Sequence, residues 1–185
     1  MKPTKQVGTI PVRRTSEGSL EILLVTSRRT GRWIIPKGWP SKRLEDPDAA
    51  AREAVEEAGV IGRISKQPIG SFEYAKSASQ GSRQISVDVY LLYVETVLQL
   101  WPEQRERSRS WFRPHLAATK VHEPQLANLI TSVVYPPIGV RHFSHYSPEQ
   151  HFANRKADGF ALSEPPQSKR KGLHRTSNTS GSPKA

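Results

Sequence analysis

Cysteine is absent from all 185 residues. Its absence excludes a disulfide framework and any thiolate-ligated metal. No stretch approaches the roughly 20 consecutive apolar residues that a membrane-spanning helix needs. Residues 1–5 lack the apolar run of a secretory leader. These absences lead to the expectation of a cytoplasmic protein with no membrane partner. Acidic residues are in the minority, 17 against 28 Lys and Arg, which leaves a net charge of +11 and favours an anionic partner. Residues 138–185 hold eight Lys/Arg against three Asp/Glu, and the remainder holds twenty against fourteen. With prolines, serines and no sustained apolar period, 138–185 reads as a flexible basic tail whose first part folds over a domain ending near 137. Residues 167–175 are its candidate for weak contact with nucleic acid. His142, His145 and His151 have no patterned carboxylate or cysteine partners and make a poor metal set.

Within the first 137 residues the pattern is mixed α and β. Residues 7–13 and 20–26 read as strands, the second a continuous aliphatic run, with a turn at Ser16-Glu17-Gly18-Ser19 between them. Residues 61–75 hold one or two strands, 76–83 a polar loop, and 85–97 the longest strand, where Ile85, Val87 and Val89 alternate with Ser86 and Asp88. Helices are predicted over 114–120 and 123–134, the latter with Leu126, Leu129, Ile130 and Val133 as its apolar stripe. Helices on a mixed sheet are the expected architecture, in one domain of ordinary size.

Residues 46–60 carry the main clue to function. Asp46 and Pro47 suit the N-cap and first position of a helix. Ala49, Ala50 and Ala51 favour its propagation, and Gly59 suits its left-handed end. Ala51, Ala54, Val55 and Ala58 form an apolar stripe, and opposite it helical spacing sets Glu53, Glu56 and Glu57 on one outward face. Such carboxylates repel one another by roughly 0.2–0.5 kcal/mol per pair on an exposed helix. A solvated acidic face is one reading. A bound divalent cation is the other, because Mg²⁺, with Mn²⁺ as an alternative, takes oxygen ligands and keeps positions for water and phosphate oxygens. Arg52, one turn before Glu56, is placed to hold that carboxylate. Upstream, Trp33-Ile34-Ile35-Pro36-Lys37-Gly38-Trp39-Pro40 is an apolar stretch broken by Pro and Gly, a turn where backbone can approach a ligand closely.

Gly38, Arg52, Glu53, Glu56, Glu57, Gly59 and Val60 fall at the spacing of the Nudix hydrolase signature, and the chain resembles that family. Leu44 stands at the position of the signature's first glutamate, with Glu45 displaced by one residue. The likeness runs from about residue 5 to 134, through 20–28, 69–73, 89–95 and 101–112. It is similar to the branch that hydrolyses diphosphoinositol polyphosphates and diadenosine polyphosphates. This resemblance implies an α/β/α sandwich around a mixed β-sheet and Mg²⁺-dependent cleavage of a phosphoanhydride in a small polyphosphate. It implies Glu53 and Glu57 as metal ligands, Glu56 as general base close to the metal, and Arg52 as the group that orients them. Ser27 and Arg28 match phosphate-contacting positions; Arg13, Lys37 and Arg83 are further candidates by position, and Gly38 lets the loop approach metal or phosphate. Glu73 and Glu95 are candidates for an additional ligand or base, since the family often recruits a glutamate from outside the signature. An RNA 5′ end, a nucleoside triphosphate or a nucleotide sugar are alternative substrates, and a non-catalytic module binding RNA or protein is the alternative of another class. Pro36-Lys37-Gly38-Trp39-Pro40 stands where eukaryotic members of the branch have consecutive glycines, so inositol pyrophosphate specificity is not carried over.

Overall fold

A computed structural model describes residues 4–78, 81–134 and 143–146. Among these, nine strands form one sheet: β1 (Thr4–Arg14), β2 (Leu20–Thr26), β3 (Trp33–Ile34), β4 (Lys37–Gly38), β5 (Val60–Ser65), β6 (Gly70–Ala78), β7 (Gly81–Val97), β8 (Arg109–Phe112) and β9 (Phe143–His145). The helices are α1 (Asp46–Glu53), α2 (Pro114–Lys120) and α3 (Pro124–Ser132). The central order is β3-β2-β1-β7-β5-β9, with β4 on β1, β6 on β7 and β8 on β2. β1 and β7 run parallel from Thr4 opposite Ile85 to Val12 opposite Tyr93. The other pairings are antiparallel. The sheet is therefore mixed, as the sequence pattern led us to expect.

Alternation along the central strands explains the layers. Successive side chains point to opposite faces. Val7, Leu23, Val25, Tyr90 and Leu92 pack under α1. Ile10, Val12, Ile22, Leu24, Val89 and Leu91 pack on the other side, with Ala117 of α2 and Leu126 and Ile130 of α3. Strands buried on both faces read as continuous aliphatic runs, which is why 20–26 lacks a polar alternation. The result is the α/β/α sandwich implied by the resemblance. No helix among the described residues is long and apolar enough to cross a membrane.

Three local expectations change. Asp46 does not cap α1; the helix starts one residue earlier than expected, on Glu45, and Pro47 occupies its second position. The Asp46 carboxylate instead accepts a hydrogen bond from Lys5 Nζ at 2.7 Å, a charge-assisted partner that outcompetes backbone N–H groups. The described part of 76–83 is not a loop: residues 76–78 continue β6 and residues 81–83 begin β7, with Lys76 opposite Arg83 and Ala78 opposite Gly81. Ladder pairing overrides the polar, small-residue composition there. Finally, Phe143–His145 adds a strand beside β5 and Tyr146 is buried against the α1 side, so the sheet reaches past the expected boundary at 137. The remaining tail positions, His142, His151 and 167–175 among them, lie outside the described residues.

Candidate active site

The acidic turn is shaped by what lies beneath it. Ala49, Ala50, Ala51, Ala54 and Ala58 are all buried, and side chains this small let the helix lie close to the sheet. From Ala54 to Ala58 the helix widens into a π-helical turn, in which the Gly59 N–H reaches the carbonyls of both Ala54 and Val55. Gly59 then adopts the expected left-handed conformation, with φ of 62°. Single π turns of this kind are frequent at functional sites. The carboxylates do not point freely outward as the helical wheel suggested; β4 and the loop between β7 and β8 close over them.

Glu57 is only 6% exposed. Its Oε2 accepts a hydrogen bond from the Lys37 backbone N–H at 3.1 Å, and its Oε1 accepts a very short one from Arg107 Nη2. Burial pushes its pKa up to about 7, against the opposing pull of Arg107 and Lys37. Glu53 accepts a 2.6 Å bond from Arg52 Nη2, and burial raises its pKa as well. A methyl group added at Gly38 would overlap the Glu53 carboxylate, which gives a physical reason for glycine at that position of β4. Glu56 lies with an Oε1 3.9 Å from Arg52 Nε, and its backbone carbonyl accepts from the Glu103 N–H at 3.1 Å. Arg52 also reaches the Trp39 carbonyl at 3.5 Å, so one guanidinium joins the helix to the loop after β4.

Sequence reasoning missed two members of the site, Arg107 and Glu103. Arg107 is 7% exposed and fully engaged: Nε donates to Glu103 at 2.6 Å, Nη1 to the Thr26 carbonyl at 2.9 Å, and Nη2 to Glu57. Its loop is anchored by Arg109, which donates to the carbonyls of Ala58, Gly59 and Leu98 while stacking on Trp101. The only signal for these roles was the charged run Arg105-Glu106-Arg107 before the closing aromatic pair, and a charged run ordinarily marks a solvated surface.

The other expected residues divide clearly. Lys37 and Gly38 sit against Glu57 and Glu53; the Lys37 ammonium lies 5.0 Å from the Tyr74 ring centre, with its pKa lowered by burial. Arg28 is tied to the site through Glu103 and Glu106, each 3.4 Å from its Nη1, and Ser27 bonds Thr30 in the adjoining turn at 2.6 Å. Arg83 projects from the β6–β7 hairpin. Arg13 is not at the site: it pairs with Glu21 at 2.8 Å and stacks on Trp111, at the end of β2 remote from Thr26, about 16 Å along the strand. Glu73 accepts from Gln84 on the neighbouring strand. Glu95 pairs with Arg63 at 2.9 Å and His145 at 3.3 Å, beside the β5–β9 edge. Among the described residues, the side-chain partners of both glutamates lie on the sheet rather than on the acidic turn.

Oxygen donors partly shielded from water suit a hard divalent cation in kind, and positive charge there would offset the burial that raises the pKa of Glu53 and Glu57. Among the described residues no three His, Asp or Glu side chains converge into a ready cage. Arg52 and Arg107 hold carboxylate oxygens that a cation would take over.

The family model described as NUDIX domain matches residues 2–133. Nudix hydrolase 18, mitochondrial, of Arabidopsis thaliana is 34% identical over 113 residues, covering 58% of this chain and 62% of that protein. Diphosphoinositol polyphosphate phosphohydrolase 3-beta of Bos taurus is 35% identical over 114 residues, covering 59% and 66%. The chain spans about half to two thirds of the length of the curated relatives it matches. Among solved structures, the C. elegans Ap4A hydrolase has a TM-score of 0.52 at 19% identity, covering 71% of this chain and 96% of its own, a likeness of fold alone. A match over more than two thirds of the residues, with Gly38 and Glu53 of the signature brought together by β4 and α1, shows that the chain belongs to the NUDIX domain family.

Proposed function

We propose that the protein is a divalent-cation-dependent hydrolase of a phosphoanhydride bond in a small polyphosphate, with Mg²⁺ as the ion. The observation that carries this reading is the buried Glu57 and the partly buried Glu53 packed against Lys37 and Gly38, with Glu56 in the same helical turn. On stability grounds alone, burying such carboxylates is unfavourable, which makes a chemical role for them the better account. A relative named as a diphosphoinositol polyphosphate phosphohydrolase supports a polyphosphate substrate.

In this reading Glu53 and Glu57 would hold the cation, which when bound would supply positive charge for phosphate oxygens and lower the pKa of a coordinated water. Glu56 takes the proton from the attacking water, and Arg52 fixes Glu53 and Glu56 relative to each other. Arg28 and Lys37 contribute positive charge toward the polyphosphate, Arg28 with a planar fork suited to two oxygens. Glu103 links Arg28 to Arg107 and so couples the phosphate-facing turn to Glu57.

The test is turnover of a polyphosphate panel with Mg²⁺. Glu56→Gln should lower kcat by about 10²- to 10⁴-fold, the usual range for losing a general base, while its circular dichroism melt stays close to that of the parent. Unchanged turnover in the variant, or full activity after chelation, removes this reading.

A further inference from the structure

We infer that Trp39 is a specificity-determining residue whose indole stacks on a nucleobase, so that the preferred substrate is a polyphosphate carrying a nucleoside rather than an inositol ring. This rests on the hydrolase reading for the reaction, but the stacking contact can be tested without turnover.

A lone exposed aromatic is ordinary on a protein surface; the position of this one is not. The other three tryptophans are half-buried and engaged: Trp33 against Phe112, Trp101 under Arg109, Trp111 under Arg13. Trp39 is 44% exposed. It follows directly after Gly38, whose Cα lies against the Glu53 carboxylate, and its own carbonyl accepts from the same Arg52 nitrogen that bonds Glu53. A ligand whose phosphates lie at the acidic turn therefore has this indole as the next surface along the β4 loop.

The groups around the indole fit the same occupant. Lys76 Nζ lies 5.9 Å from the ring centre, at the outer limit of a cation–π contact. Lys76 is directly opposite Arg83, and one step inward Tyr74, opposite Ile85, carries the Lys37 ammonium. Phe72, Tyr74 and Lys76 share one face of β6, so aromatic groups give way to a cation from the buried core out to the hairpin. An aromatic platform with basic groups at its edge is the arrangement that holds a base and its phosphates together. A ring crowded with phosphates gains nothing from a π face and needs many cations. Here Arg13 is committed to Glu21 and Trp111, away from the acidic turn.

The experiment measures Kd for three ligands in the presence of Mg²⁺: a methylene-bridged, nonhydrolysable diadenosine tetraphosphate, tripolyphosphate and inositol hexakisphosphate. The full-length chain, Trp39→Ala and Trp39→Phe are compared, with indole fluorescence as a second readout. The parent should prefer the adenosine ligand and show quenching that Trp39→Ala abolishes. Trp39→Ala should weaken the adenosine ligand by about tenfold or more without a matching change for tripolyphosphate, and Trp39→Phe should recover most of the loss. Equal weakening of both ligands, no weakening of either, or a parent that prefers inositol hexakisphosphate would overturn the inference. Base-dependent binding without cleavage of the hydrolysable adenosine compound would support the stacking contact and remove the hydrolase reading. Cleavage with no dependence on Trp39 would do the reverse.

Discussion

The two faces of the sheet are packed by different means. Under α2 and α3 the contacts are made by Leu126, Ile130 and Val133 against Ile10, Ile22, Leu24 and Leu91, all bulky aliphatic groups. Under α1 the helix contributes alanines, with Val55 its one larger apolar side chain, against Val7, Leu23 and Val25. The first face fills space; the second brings a helix backbone close. Close approach is what sets Glu53 against Gly38 and Glu57 against the Lys37 N–H, and it leaves charged groups shielded from water beside the core. Apolar bulk thus supports one side of the molecule, while the other side combines small residues with compensated charge.

That contrast can be broken from either side. The largest effect is expected from Arg107→Ala, which leaves Glu57 buried without its guanidinium; stability measured by urea titration should fall by about 3–5 kcal/mol, as for one partner of a buried ion pair. Saturating Mg²⁺ should restore part of the loss, because a ligand that binds only the folded state stabilises it. A loss within the range of exposed ion pairs would show that the α1 face does not depend on compensation. Ile130→Ala attacks the other face, and should lower stability by about 2–5 kcal/mol through lost burial and a residual cavity. Its turnover at low temperature should match the parent's; a selective catalytic defect would mean that the faces are coupled.

A third measurement sharpens the electrostatic side. With its folded pKa raised from 4.5 to about 7, Glu57 keeps its proton longer folded than unfolded, so cation-free stability should decline as pH rises through that window. Metal binding needs the carboxylate, so Mg²⁺ affinity by calorimetry should fall by up to about tenfold per pH unit below 7 and level off above it. A flat profile from pH 6 to 8 would exclude Glu57 as the titrating ligand. The smallest effect is expected for Lys5→Ala. Lys5 joins Asp46 of α1 to Asp88 of β7 at 2.7 and 3.0 Å, but it is half exposed, and the change should move stability by less than about 1 kcal/mol.

Much of this fold could be read in the sequence, because the relevant signals are local. The aliphatic run of β2, the Pro-initiated α2, and the alanine stripe ending at Gly59 each follow from a few neighbouring residues. A close backbone approach at Gly38 was legible through spacing and family likeness, but not that the group it approaches is the Glu53 carboxylate. What escaped notice depended on partners far along the chain. Arg107 meets Glu57 across fifty positions, and nothing in Arg105-Glu106-Arg107 distinguishes the buried arginine from its exposed neighbours. Asp46 looked like a cap because Lys5, forty-one residues earlier, is invisible to a local rule. Glu73 and Glu95 satisfied a family habit in type, yet their strands carry them to other partners. Short strands such as β3 and β4 exist only because longer ones offer them hydrogen bonds.

The small strand β9 has a practical consequence. By lying along β5, with His145 opposite Arg63, it covers backbone groups that would otherwise form an open sheet margin, and open margins invite pairing with other molecules. Trimming the basic C-terminal region at 137 would discard that cover along with Tyr146. A shortened version meant to stay monodisperse in solution should therefore retain residues through 146.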